Sequence, residues 1–236
     1  LIAAKPEVVF IAGVAADEVI DPRPLAEILR QWSTFHPEFA FLPRKFKIAI
    51  SGTREDRAVT WFHDIGLHLQ EQDGKVGFRV IVGGGLGRTP IRGQIVREFL
   101  PWQHILTYSE AILRVYNRFG RRDNAYKARI KILVQALGVE AFARLVEEEW
   151  AHIKDGPATL MQAEYDRVAA HFAPPAYERL GAGELPAEKA FAKWVDRNTH
   201  PHKVAGYAAV TLSLKPHGIA PGDITSDQMD AVADLA

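Results

Sequence analysis

The chain has 236 residues, with 29 basic and 29 acidic side chains and a formal net charge of zero, so nothing favours nucleic acid or an acidic membrane as main partner, and any electrostatic function must be local. It contains no cysteine, which removes from this chain disulfides, thiolate zinc sites, a Cys nucleophile and an iron–sulfur cluster held by thiolates. No apolar run approaches the roughly 20 residues of a membrane span, and the opening residues lack the basic start and apolar core of a signal peptide, so a soluble, cytoplasmic protein is expected.

Residues 7–14 are apolar and partly β-branched, which predicts a strand. Asp21-Pro22-Arg23-Pro24 opens a helix reaching about Trp32, since proline is tolerated in a first helical turn. Residues 45–50 read as a strand, and 66–70 and 77–82 as a strand pair around the hairpin signal Asp73-Gly74. From Pro101, the spacing of Ile105, Tyr108, Ile112, Val115 and Phe119 predicts a helix that Gly120 stops. A second helix is expected over 123–137, with Ala125, Ile130, Leu133 and Leu137 apolar and Gly138 as its stop. A third covers 141–150. Residues 151–200 are polar and proline-punctuated, a connector between a first domain over 1–150 and a further unit over 201–236. In that unit a strand over 204–214 precedes a helix, which Thr225 and Gln228 start as a capping box. The unit has the look of a beginning, so the chain is expected to be part of a longer protein.

The informative constellation is Leu42-Pro43-Arg44-Lys45-Phe46-Lys47. On a strand, Lys45 and Lys47 point to one face, and two neighbouring ammonium groups repel unless an anion sits between them. The bland alternative is a solvated strand face. The apolar flanks Phe41, Leu42, Phe46 and Ile48 predict a buried strand instead, where unpaired cations are costly. A second feature is Gly83-Gly84-Gly85-Leu86-Gly87-Arg88. Its glycines either let the backbone approach a bulky ligand or make a plain turn. A phosphate-binding Walker loop is rejected because Gly87 is followed by Arg88-Thr89, and a Gly-x-Gly-x-x-Gly fingerprint because Pro90 falls at its last position. In the third, Lys127 and Lys131 are four residues apart and share a helix face, with Arg129 around the helix. A solvated basic face, an internal pair for Arg129 and a polycarboxylate ligand all fit. The histidine pairs His63/His68 and His200/His202 match no metal pattern; His63-Asp64 can orient a loop.

These motifs, in order, resemble the sirohaem-dependent sulfite and nitrite reductases over residues 13–236. Gly13-Val14-Ala15-Ala16-Asp17-Glu18 leads into Asp21-Pro22-Arg23-Pro24. Then come Pro43-Arg44-Lys45-Phe46-Lys47, Gly77-Phe78-Arg79-Val80-Ile81-Val82-Gly83-Gly84-Gly85-Leu86, Lys127-Ala128-Arg129 and Leu137-Gly138-Val139-Glu140-Ala141-Phe142. Leu212-Ser213-Leu214-Lys215-Pro216, Gly222-Asp223 and Gln228-Met229 are similar to the opening of the second half of these pseudo-symmetric enzymes.

The resemblance implies an α+β fold, a mixed sheet flanked by helices, followed by the start of a ferredoxin-like half-domain. It implies assimilatory-type reduction of sulfite, or of nitrite, at sirohaem coupled to a [4Fe–4S] cluster, with ferredoxin or a flavoprotein as electron donor. Lys45 and Lys47 would face the oxyanion and Arg129 would pair with a sirohaem carboxylate. Lys127 and Lys131 are weaker candidates for that pairing, and Arg44 belongs to the same cofactor-binding set. Gly83, Gly84 and Gly85 would pass close to the macrocycle. Lys at position 47 is similar to the sulfite-reducing branch, since plant-type nitrite enzymes tend to carry Asn there. The sequence departs from the family in lacking its four cluster cysteines, and residues 1–12 do not carry its Asn-x-Arg-Asn motif. A central portion, inactive by itself, is the expectation.

Overall fold

The computed structural model describes residues 5–8, 11–179, 181, 188–214, 218 and 220–235. Part of the expected first strand (residues 9 and 10) and Pro186, Lys215 and Pro216 lie outside them. The chain divides into two compact units: residues 1–13 with 17–176, and residues 14–16 with 177–236.

The first unit is built on a five-stranded sheet in sequential order: β1 (Lys5–Val8), β2 (Lys47–Ser51), β3 (Ile65–Gln72), β4 (Lys75–Val82) and β5 (Gln94–Pro101). β1, β2 and β3 run parallel, and β3, β4 and β5 antiparallel. The β3–β4 hairpin turns on Asp73 and Gly74, both at positive φ (51° and 72°), the twist that matches two right-handed strands. Sequence reading passed over β5, whose side chains are mostly half-buried or exposed.

Helix α1 (Pro22–Thr34) starts where expected, with the Asp21 carboxylate accepting the Arg23 N–H at 2.9 Å. α2 (Ile105–Phe119), preceded by a 3₁₀ turn over Trp102–His104, buries Ile105, Tyr108, Ile112 and Val115; Phe119, its last residue, is exposed. The helix expected over 123–137 begins only at Ile130: α3 is Ile130–Leu137, preceded by a separate 3₁₀ turn over Ala125–Lys127. Asn124 caps that turn through the Tyr126 N–H and so breaks the helical register. α4 (Val139–Ile153) follows at once through Gly138 at φ +80°. α5 (Gln162–Ala169) packs on α1, so the first unit runs past residue 150 to Ala176. Ile48, Ile50, Ile65, Leu67, Phe78, Val80 and Val82 of the sheet, with Phe46 just before β2, form one core with α1, α2 and α4.

In the second unit, β6 (Thr199–Pro201) pairs antiparallel with β7 (Ala208–Val210); the unit also holds α6 (Lys189–Asn198) and α7 (Ser226–Leu235). Lys203 N–H donates to the Val14 carbonyl at 2.8 Å, tying residues 14–16 to this unit. The strand expected over 204–214 is short, because Gly206 at φ +88° turns the chain before it. The capping box forms in full: Gln228 N–H donates to Thr225 Oγ1 at 3.2 Å, and Thr225 N–H to Gln228 Oε1 at 3.0 Å.

Candidate anion- and cofactor-binding cleft

A cleft of about 510 Å³ in the first unit is lined by Lys45, Lys47, Ala58, Val59, Phe62, His63, Asp64, Gly85, Leu86 and Arg129. β2 starts only at Lys47, so Lys45 precedes the strand rather than lying in it. The alternation still holds: Phe46 enters the core at 1% exposure, and the lysines on either side of it line the cleft. The cations are not buried with the strand. Arg44 and Lys45 are exposed and Lys47 half-buried, because long aliphatic stems carry the charge outward.

The wall is pinned from below by Asp64, whose side chain is 0% exposed. Its carboxylate accepts the Lys47 N–H at 2.9 Å and takes the Arg129 guanidinium through Nε (3.1 Å) and Nη2 (2.6 Å). Its carbonyl accepts the Gly83 N–H at 3.0 Å. Burial pushes the Asp64 carboxyl above the usual range, against the opposing pull of Arg129 and the Lys47 amide. Tyr116 makes a second tie: its buried hydroxyl donates to the Ala128 carbonyl at 2.7 Å and sits 3.3 Å from the Arg44 carbonyl. Burial raises the Tyr116 hydroxyl pKa as well. Asp64 and Tyr116 thus join the 44–47 segment to the segment that opens α3.

The three glycines behave differently. A Cβ on Gly84 would lie 2.3 Å from the Trp61 carbonyl oxygen. Gly83, at φ +83°, packs under Val134. Gly85 alone of the three lines the cleft. The Gly85–Ile91 backbone bridge closes the loop beyond it, and Lys131 Nζ holds that loop through the Thr89 carbonyl at 2.7 Å. Lys127 stands exposed on its 3₁₀ turn, so it does not share a helix face with Lys131.

Val59, also lining the cleft, adopts the left-handed region (φ 52°), an uncommon conformation for a β-branched residue. Its carbonyl accepts from the Phe62 N–H and from His63 Nδ1, each at 3.0 Å. His68 bonds the Arg54 carbonyl, His200 the Thr211 hydroxyl, and His202 accepts the Val204 N–H. Sequence reading did not place Asp64, Tyr116, Val59 or Phe62 at the site. The one signal was Asp64 itself, an acidic residue directly before the apolar Ile65-Gly66-Leu67.

A mixed sheet flanked by helices, with two lysines and an anchored arginine lining one cleft beside a glycine turn, defines an α+β domain with a cationic cleft. The chain belongs to the nitrite and sulphite reductase 4Fe-4S domain family, whose profile matches residues 6–154. It is 34% identical over 151 residues to sulfite reductase [ferredoxin] 1 of Mycolicibacterium paratuberculosis, covering 63% of this chain and 27% of that relative. It is 33% identical over 147 residues to the ferredoxin–nitrite reductase of Leptolyngbya laminosa, covering 60% of this chain and 29% of the relative. The solved structure of Mycobacterium tuberculosis NirA protein superposes with a TM-score of 0.56 at 31% identity, over 62% of this chain and 27% of that one. The chain therefore spans about a quarter of the length of these relatives. Among the described residues, no helix is long and apolar enough to cross a membrane.

A [4Fe–4S] cluster does not fit this chain, which has no thiolate to offer. A tetrapyrrole rimmed with carboxylates fits the cleft chemically. Val59, Phe62 and Leu86 give apolar surface, Gly85 gives bare backbone, and Lys45, Lys47 and Arg129 give cationic partners.

Proposed function

We propose that this chain forms the sirohaem-side wall of a sulfite or nitrite reductase, an oxidoreductase, and that Lys45 and Lys47 face the oxyanion. The observation that carries the reading is the placement of both lysines with Arg129 on one cleft. Sirohaem, coupled to the iron–sulfur cluster, supplies the six-electron chemistry in such enzymes. The chain's own residues handle charge and protons. Each ammonium has three N–H donors and no acceptor, so the pair suits an oxyanion whose negative charge it offsets. Each can also deliver a proton to an oxygen leaving as water. Arg129, with two N–H groups on Asp64, keeps further N–H groups for a cofactor carboxylate. Residues 201–236 would open the second repeat.

Sulfite is the preferred substrate because position 47 is Lys, and nitrite is the alternative. Ferredoxin, named in both curated relatives, is the preferred donor over a flavoprotein. A cysteine-free sequence favours a second reading for this chain by itself, a tetrapyrrole- or anion-binding module without catalysis.

Titration of the purified chain with sirohaem, followed by absorbance, tests the proposal against a Lys45→Ala/Lys47→Ala control. Saturable binding that the control weakens supports a preformed wall. A folded chain that binds no sirohaem sinks it.

A further inference from the structure

Asp64 touches each of the segments that carry the site's chemistry: the Lys47 backbone, the Arg129 guanidinium and the Gly83 amide. Those partners lie 17, 65 and 19 residues away in sequence. We infer that Asp64 is the positioning residue of the cleft, a buried carboxylate that fixes the Lys47 backbone and the Arg129 plane in one rigid wall. The inference rests on the proposal that the cleft takes an oxyanion.

The geometry argues for positioning over charge tuning. A bidentate grip fixes the plane of a guanidinium as a point charge cannot. Lysine side chains carry much rotamer entropy, so a fixed backbone at Lys47 limits what an anion must order on binding. By charge alone the carboxylate would oppose the anion, since it subtracts from the positive potential of Lys45, Lys47 and Arg129. Positioning and charge tuning therefore predict opposite signs for its removal. A scaffold role predicts lost stability with no change in affinity once the protein is folded.

The experiment uses the full chain and sulfite as probe, with wild type, Asp64→Asn and Lys45→Ala/Lys47→Ala compared by calorimetry. Positioning predicts that Asp64→Asn weakens sulfite binding about tenfold, although the variant is more positive by one charge. Equal or tighter binding by folded Asp64→Asn overturns the inference. NMR exchange of the Lys47 amide and the Arg129 Nε–H gives a readout without ligand, and both should exchange faster in Asp64→Asn. If wild type binds no sulfite, the functional proposal fails by itself and the exchange rates decide: faster supports positioning, unchanged overturns it. Should Asp64→Asn not fold, Arg129→Lys carries the test, since it keeps the charge and loses the fork. Weakened sulfite binding, or faster Lys47 amide exchange where sulfite does not bind, supports the inference; wild-type values overturn it.

Discussion

Two basic segments of similar composition end up doing different things. Residues 44–47 place Lys45 and Lys47 on the cleft, while most of the charges over 121–131 are taken up by the fold. Arg121 pairs with Asp123 at 2.5 Å, and Arg122 holds the Phe41 and Asn117 carbonyls. Lys131 holds Thr89, and only Arg129 reaches the cleft, through Asp64. Basic residues in a sequence therefore say little until the acceptors supplied by the rest of the chain are known. The local rule that separates the segments is alternation: an extended chain with Phe46 in the core must turn both neighbours the other way.

The comparison breaks most severely at Arg129, the residue that joins the two segments. Arg129→Ala leaves the Asp64 carboxylate buried without its ion partner and should destabilise the first unit by about 3–5 kcal/mol. Urea denaturation measures it, and a loss within about 0.5 kcal/mol would show that the pair holds nothing. Next come the glycines. In Gly84→Ala the new Cβ meets the Trp61 carbonyl at 2.3 Å, a backbone collision expected to cost about 1–3 kcal/mol. Gly85→Ala meets only the Lys131 stem at 3.4 Å and should leave stability nearly unchanged while lowering sirohaem affinity. Equal melting temperatures for the two variants would erase the distinction drawn between these glycines.

Lys45→Ala and Lys47→Ala act on the other segment. Lys45 is exposed, so Lys45→Ala should change stability by less than about 0.5 kcal/mol, and both variants should weaken sulfite or sirohaem binding about tenfold. In the intact reductase, turnover should fall far more than stability. Wild-type affinity and rates in both variants would remove the lysines from the mechanism.

The pH dependence separates Asp64 from a surface acid. Burial raises its folded-state pKa above the ordinary 3.8, so in that window the folded chain holds a proton that the unfolded chain has released. The contribution of this group to stability is then largest on the acid side, below 3.8, and declines as pH rises through the folded value. Wild type should gain stability relative to Asp64→Asn as pH falls from neutral toward 3.8. The opposite trend would mean that Arg129 outweighs burial.

Much of this architecture could be read from local chemistry. Asp21 before two prolines, Asp73-Gly74 and the Thr225/Gln228 box each set an element through contacts within a few residues. The lysine pair was legible for the same reason. Asp64 was not, because its partners are remote in sequence and only the tertiary fold brings them together. A principle did point at it: a carboxylate at the mouth of a buried strand must find partners, although which partners is a tertiary matter. The late start of α3 was hidden because the Asn124 side chain competes with the helix for the Tyr126 amide, a choice that residue spacing does not record. β5 escaped because its ladder with β4 carries register shifts around Val80 and its sequence pairs apolar and charged residues instead of alternating them.

The smallest expected effect is the sharpest check on the comparison. Arg121→Ala removes a cation of the second basic segment that is exposed and already paired with Asp123. If charge density alone attracted the anion, this variant would weaken sulfite binding much as Lys45→Ala does. If placement governs, a guanidinium outside the cleft is screened by solvent and salt, and affinity should stay at the wild-type value at physiological ionic strength. Calorimetry of Arg121→Ala beside Lys45→Ala, at low and at physiological salt, decides it. A loss that persists at physiological salt would make the two basic segments one electrostatic surface and end the distinction between them.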